Sequence, residues 1–322
     1  MTKNSHAKDH PKDHKRAPAK TKAKVEPKEE KKPHQKETVA IVDANSAQGY
    51  SAVKYIVKKG RFNVKALVRD MNGVHVDALK KKRHVEVVKV NFDSVKAMEE
   101  AFEDCACVFA AFDEKEYADP VKGLKLGQTM VDAARKANID HFIWSTMDAH
   151  TGISIYETIS EVDQYLKSSR VPRTSLYTSI SYEQFKEHFC KKQHDGTLSF
   201  QLPVNEESKI PMYYEAEVGA WVAEVMEHPQ IYIHKDVDVA AEFISPLEMK
   251  RAFEQVLPEL KIDFKYTDDL PVENKHLQEA LKFFQAHPES SGVRDAISCK
   301  RMYPKATDFH KFVKGAKWEE SF

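Results

Sequence analysis

The chain is poor in glycine and cysteine, with 10 and 4 among 322 residues. It has no apolar stretch long enough to span a bilayer and no apolar signal segment at its start. The expected setting is therefore cytoplasmic and/or nuclear, with no membrane partner and with reduced thiols. Cys105 and Cys107 form a C-x-C on one face of an apolar strand. Burial explains that spacing, because a metal site needs two further ligands and no paired motif supplies them. Large apolar residues are almost absent from residues 1–36, which hold twelve Lys/Arg and five Asp/Glu, a net of +7. The formal charge of the whole chain is zero, so the remainder carries −7. Such a Lys-, His- and Pro-rich tail cannot bury enough surface to offset its ordering entropy and is expected to be disordered. His6, His10 and His14 repeat every four residues, but Pro11 breaks the helix that would gather them on a metal. The tail has the charge to contact nucleic acid, without aromatics for base stacking.

Beyond the tail, strand and helix patterns alternate. Strands are expected at Thr38–Asp43, Phe62–Val68, Val85–Phe92, Cys107–Phe112, His141–Ser145 and Thr174–Thr178. Helices are expected at Gln48–Lys59, Ser94–Glu103, Gly123–Asn138 and Glu161–Ser168. That rhythm predicts an α/β fold with a doubly wound, parallel Rossmann-type sheet. Past residue 180 a smaller α/β portion follows. Val218, Trp221, Val222 and Val225 form one helical stripe there, and Leu277, Ala280, Leu281 and Phe284 another. Ser245, Pro246 and Glu248 read as an N-cap, a first-turn proline and a capping-box partner. The expected organisation is a tail (1–36), a Rossmann-like NAD(P)-binding-type domain (37–180) and the smaller portion (181–322).

The first strand runs into "DANSAQG", where a dinucleotide-binding turn needs three glycines. The first makes the tight turn, the second admits the pyrophosphate, and the third packs helix on strand. Here the register reads Asp43-Ala44-Asn45-Ser46-Ala47-Gln48-Gly49, so only the packing glycine is kept. A carboxylate ~4–6 Å from a phosphate costs roughly 1–4 kcal/mol at intermediate dielectric. The Ser46 hydroxyl can still donate, and a helix N-terminus still offers N–H groups. Arg69 in "ALVRD" stands where an arginine pairs with a 2′-phosphate, so a surviving site would prefer NADP(H).

Several segments together resemble the NmrA-like family, an atypical branch of the short-chain dehydrogenase/reductase group. "DANSAQG" is similar to the family's G-A-T-G-x-Q-G and "ALVRD" to its strand-two arginine motif. "VEVVKVNFDSVKAMEEAF" resembles its v-x-G-D-x-x-D run, with Val90 at the glycine and Asn91 at the acidic position. "AARKANIDHFIWSTM" and "SEVDQYLKSSRVPRTSLYTSISYEQF" resemble two further family segments, so the likeness runs from Thr38 to Gln184. It implies cofactor contacts from Asn45, Ser46, Ala47, Gln48, Gly49, Arg69, Asn91 and Tyr156.

The wider group transfers hydride with a Y-x-x-x-K pair. The one match, Tyr50 with Lys54, lies in the first helix, away from any hydride, and reads as coincidence. Relatives without the tyrosine keep a lysine in an F-x-x-K segment. Tyr156 stands for its aromatic and Ile159 for its lysine, and Lys167 lies too far along to replace it. Ser145 and Thr146 are candidate ligand contacts, and Asp148 and His150 candidate acid–base groups. No catalytic residue is assigned. The resemblance implies a regulatory protein, non-catalytic, that uses a dehydrogenase scaffold to sense dinucleotides or bind a protein such as a transcription factor, with NADP(H) affinity weak or lost. Two alternatives stay open: an NADPH-dependent oxidoreductase with an atypical site, and a nucleic-acid-associated protein acting through the tail.

Overall fold

The computed structural model describes residues 36–268, 275–287, 295–316 and 318. The tail's expected disorder and its histidine triad lie outside these residues. Among the described residues the strands are β1 (Thr38–Val42), β2 (Asn63–Val68), β3 (Val85–Lys89), β4 (Cys105–Ala110), β5 (His141–Thr146), β6 (Arg173–Tyr177), β7 (Ile180–Ser181), β8 (Cys190–Lys192), β9 (Leu198–Leu202), β10 (Ile210–Tyr213), β11 (Lys235–Asp238), β12 (Glu242–Ile244) and β13 (Ile262–Tyr266). The helices are α1 (Ala47–Lys59), α2 (Val76–Lys80), α3 (Val95–Phe102), α4 (Pro120–Lys136), α5 (Ser154–Ser168), α6 (Tyr182–Phe189), α7 (Val218–Glu227), α8 (Pro229–Tyr232), α9 (Pro246–Val256), α10 (Lys275–Ala286), α11 (Ala296–Met302) and α12 (Phe309–Gly315).

Seven strands form one parallel sheet in the order β11-β6-β5-β4-β1-β2-β3. β1 is an interior strand next to the central β4, with Ile41 opposite Ala66 on one side and Phe109 on the other. Its alternation assigns the two cores, since successive side chains leave opposite faces of a strand. Val39 and Ile41 pack with Val53 and Ile56 of α1 and Trp221 and Val222 of α7. Ala40 and Val42 pack on the other face with Met98 of α3, Met130 of α4 and Val162 and Leu166 of α5. The order reverses beside β1, which opens a crevice at the carboxyl ends of β1 and β4.

A third core lies mostly in the portion after residue 180, joined by Ile153 and Tyr156. Two three-stranded sheets, β12-β10-β7 and β13-β9-β8, enclose it with α6, α9, α10 and α12. Aromatic contacts dominate: the rings of Phe185 and Phe200 stack 5.3 Å apart, and Trp318 meets Phe253 edge-on at 4.8 Å. Both expected stripes, on α7 and α10, are buried throughout. The capping box at Ser245 forms as read, with Glu248 Oε2 accepting from the Ser245 N–H at 2.9 Å. All four cysteines are free and buried, and burial raises the Cys105 thiol to about 11 and the Cys190 thiol to about 12.

Element ends differ from the expected ones where a side chain competes for backbone. β3 stops at Lys89, because Asn91 Oδ1 accepts from the Asp93 N–H and bends the chain. α4 starts three residues early, at Pro120, behind an Asp119 cap that accepts from two N–H groups. α5 starts at Ser154, not Glu161. The Glu157 carboxylate accepts from the N–H groups of His150, Thr151 and Gly152 and so anchors an extra helical stretch.

α7 crosses α1 at closest approach through Gly219. A Cβ there would lie 2.2 Å from the Ser51 carbonyl oxygen, and the Gly219 N–H already donates to Ser51 Oγ at 3.0 Å. Ser51 in turn donates to the Ala216 carbonyl at 2.8 Å. The neighbour is backbone and cannot yield. Gly219→Ala is therefore expected to destabilise the protein by roughly 1–3 kcal/mol or more, read as a lower urea midpoint, whereas Gly315→Ala, in open space, should leave the midpoint unchanged.

Candidate functional site

The turn after β1 is built on two hydroxyl bonds. The Asp43 carbonyl accepts from the Ser46 N–H at 2.9 Å and from Ser46 Oγ at 2.8 Å. Ser46 Oγ then accepts from the Gly49 N–H at 3.1 Å and caps α1. Asp43 adopts φ +49°, the left-handed region that a first-position glycine would occupy without strain. Gly49 sits directly beneath: a Cβ on it would fall 2.2 Å from the Asp43 carbonyl oxygen. Close helix–strand packing therefore requires this glycine, as expected from the sequence.

The Asp43 side chain makes no hydrogen bond to the helix. It lies half-buried beside Arg69, Glu116 and Asp113, and loss of solvent pushes its carboxyl up to about 6. Arg69 opposes that shift, while Glu116 and Asp113 add to it. Arg69 stacks 4.7 Å from the Phe92 ring, with Nη2 3.3 Å from Glu116 and Nη1 3.6 Å from Asp93. Its guanidinium is thus held among carboxylates, and its buried Nε has no partner.

Next to the turn, a cleft of about 330 Å³ opens over the carboxyl ends of β1, β4, β5 and β6. Ser46, Ala47 and Gln48 form its floor at the start of α1. Phe112 and Asp113 follow β4, Ser145 and Thr146 end β5, and Thr178 follows β6. The opposite wall comes from the later portion of the chain, with Gln184, Glu187 and His188 on α6, Tyr213 ending β10, and Glu215. Gln48 bridges the floor to β5, accepting from Ser145 Oγ at 2.8 Å. Asp113, Glu187 and Glu215 line the cleft, and among the described residues no lysine or arginine does.

The eight cofactor candidates divide. Ser46, Ala47 and Gln48 line the cleft, and Gly49 is buried under it. Asn45 turns to the 70–75 loop, where its Oδ1 accepts from the His75 N–H at 2.8 Å. Arg69 lies on the Asp43 side of the turn. Asn91 is exposed in its own turn, and Tyr156 is buried in the third core. Ile159, at the position of the family lysine, does line the cleft and is only 5% exposed. Lys167 is occupied elsewhere, 2.7 Å from the buried Asp163 and 3.1 Å from Asp236. Tyr50 stacks on His75 at 4.1 Å on the far side of α1, so the Tyr50–Lys54 pair is not in the cleft. His150 is exposed and outside it. On the α6 wall the family segment reaches Gln184, while Glu187 and His188 lie beyond any motif in the sequence. The one local cue is the capping box of Ser181 and Gln184, which sets the start of α6 and so the direction in which Gln184, Glu187 and His188 face.

The NmrA-like family model matches residues 35–313. The chain belongs to the NmrA-like family. It is 21% identical over 305 residues to the nitrogen metabolite repression protein nmr of Neurospora crassa, covering 80% of this chain and 62% of that one. The chain thus spans under two thirds of that relative's length. Crystal structures of NmrA, a negative transcriptional regulator, in complex with NAD and with NADP share the fold. Each has a TM-score of 0.73 at 20% identity, covering 88% of this chain and 96% of that one. Of the positions read in the sequence as differing from the family pattern, Ser46 and Ile159 line the cleft, whereas Asp43 lies in the turn before α1 and Asn91 is exposed. No helix among the described residues is long and apolar enough to cross a membrane.

The raised Asp43 pKa sets a pH dependence. The folded value of about 6 lies above the ordinary aspartate value of 3.8, so the native state binds the extra proton between those limits. The charged carboxylate therefore costs stability above pH 6, and the cost fades as pH falls toward 4. Asp43→Asn is expected to stabilise the protein by roughly 2–3 kcal/mol at pH 7.5 and by almost nothing near pH 4, measured by urea unfolding at both values. An equal gain at both would place the effect in the backbone and not in the charge.

Proposed function

We propose that this protein is a non-catalytic regulator that uses a dehydrogenase scaffold as a binding module, with weak or absent affinity for NADP(H). The observation that carries this reading is the charge of the site. Its floor meets an apolar Ile159, its walls bring three carboxylates and no cation, and the nearby Arg69 is already held by Glu116 and Asp93. A pyrophosphate carries negative charge into a partly dehydrated cleft and needs cations or many free N–H donors. Ser46 consumes one such donor, that of Gly49. Among the described residues no lysine lines the cleft to depress the pKa of Tyr117 or Tyr213 or to hold a ribose, which supports the non-catalytic reading. Relatives named as a nitrogen metabolite repressor and as a negative transcriptional regulator support a regulatory role exerted through a protein partner, such as a transcription factor. Such a role is consistent with a cytoplasmic or nuclear setting.

A second reading, an NADPH-dependent oxidoreductase with an atypical site, draws on Ser46, Ala47 and Gln48 lining the cleft at a helix N-terminus, as a nucleotide-binding turn would. His150, exposed outside the cleft, does not serve it. Calorimetric titration separates the two. NADPH and NADH should bind the native chain roughly one to three decades more weakly than an Asp43→Gly/Ser46→Gly variant, and NADPH should support no turnover of quinones or small carbonyl compounds. Tight binding with robust turnover by the native chain would overturn the regulatory reading.

A further inference from the structure

Away from the cleft, the β13-β9-β8 sheet ends on an open strand. β13 pairs with β9 alone, in parallel, with Ile262 opposite Leu198 and Tyr266 opposite Leu202. Two hydrogen bonds fix its phase. The Lys261 carbonyl accepts from the Leu198 N–H at 2.8 Å, and the Thr267 N–H donates to the Leu202 carbonyl at 2.9 Å. Main-chain groups alternate sides along a strand, so residues 261, 263, 265 and 267 turn theirs toward β9. Those of Ile262, Phe264 and Tyr266 turn outward, and among the described residues no further strand takes them up.

The side chains alternate across the sheet as well. The Phe264 ring stacks on Phe200 at 4.7 Å, and Ile262 packs against the same core. Asp263 and Lys265 stand on the other face, 2.9 Å apart, with side chains 40% and 61% exposed. Tyr266 is largely exposed at the end of the strand. Beside it runs a groove of about 390 Å³ lined by Leu202, Val204, Pro246, Leu247 and Phe264.

We propose that β13 is the interface between two copies of this chain, paired antiparallel about a two-fold axis at Phe264. This goes beyond the regulatory reading and stands independently of the cleft. The sequence I-D-F-K-Y is complementary to itself in that register. Phe264 faces Phe264 of the second copy, and Ile262 faces its Tyr266. These are the outward-turned residues, so they form the hydrogen-bonded pairs of the new ladder. Asp263 then faces Lys265 of the second copy, in the non-hydrogen-bonded pairs whose side chains lie closer. A register centred on Asp263 or on Lys265 would set like charges face to face, so charge selects Phe264 as the centre. An edge lysine ordinarily repels other strands, but here Asp263 supplies the matching charge. The edge of the large sheet lacks this property: about its own centre, β3 would set Glu86 opposite Val88 and Val85 opposite Lys89. The two-fold operation closes the assembly at a dimer, with one sheet continuous through both copies.

Sedimentation velocity on the full chain tests this, with the monomer value expected at low concentration and the dimer value at high concentration. Each substitution acts twice across a two-fold axis. Lys265→Asp or Asp263→Lys alone should therefore raise the dimer dissociation constant roughly tenfold or more. The swapped variant Asp263→Lys/Lys265→Asp restores opposite charges and should return the constant to within about threefold of native. Glu86→Lys, exposed on β3, should leave it unchanged. Thermal unfolding checks that each variant is folded. If a reversal variant is not, Asp263→Cys/Lys265→Cys takes its place. Oxidation should then link two chains covalently, because facing Cα atoms in a non-hydrogen-bonded pair lie ~4.5 Å apart. A chain that stays monomeric up to its solubility limit, a dimer indifferent to both single reversals, a swapped variant as weak as the single ones, or a cysteine variant that forms no covalent dimer would overturn the proposal.

Discussion

The contact between Gly49 and the Asp43 carbonyl is the constraint on which the site depends. With 2.2 Å between that oxygen and the place of a Cβ, α1 can lie against β1 only if residue 49 has no side chain. That approach sets the height of the α1 N-terminus over the sheet and so the floor of the cleft. It also lets Ser46 close the turn with two hydrogen bonds to Asp43, which holds Asp43 in a left-handed conformation. The Gly219 crossing repeats the same device on the outer side of α1, where α7 rests on the Ser51 carbonyl. One helix is thus pinned on both sides by a glycine that tolerates no substitution, which is why its N-terminus is rigid enough to shape a site.

What that site is shaped for depends on charge. The turn keeps the packing glycine and lacks the two that would admit a pyrophosphate. The residue at the first position adds a carboxylate whose burial is costly enough to raise its pKa to about 6. Arg69 does not free itself to compensate, because Glu116 and Asp93 hold it. The far wall brings Glu187 and Glu215, and Ile159 adds no charge. These groups come from separate elements, and all push in one direction, toward the weak dinucleotide affinity proposed above.

Much of the fold was legible because it rests on local rules. The apolar strand at β1, the α7 and α10 stripes and the capping box at Ser245 are patterns within a few residues, and the structure contains each of them. The errors fell at boundaries set by a single side chain: Glu157 extending α5, Asn91 cutting β3 short, Asp119 starting α4 early. The site was legible only in part. Ser46, Ala47, Gln48, Ser145 and Thr146 follow the strands after which they stand. Asn45 and Asn91 lie in the same kind of position, yet their carbonyls turn to nearby backbone N–H groups instead.

By itself the sequence determined the parallel sheet, the kept and missing glycines of the turn and the family to which the chain belongs. These depend on period, on residue size and on motifs in order, all of which are properties of the chain read in one dimension. Only the tertiary structure decided that α6, Tyr213 and Glu215 form the far wall and that Arg69 is held by acids. Each of those facts joins segments tens of residues apart. Electrostatics acts through space and not along the chain, so the sign of the charge at the cleft emerges only when the segments are packed.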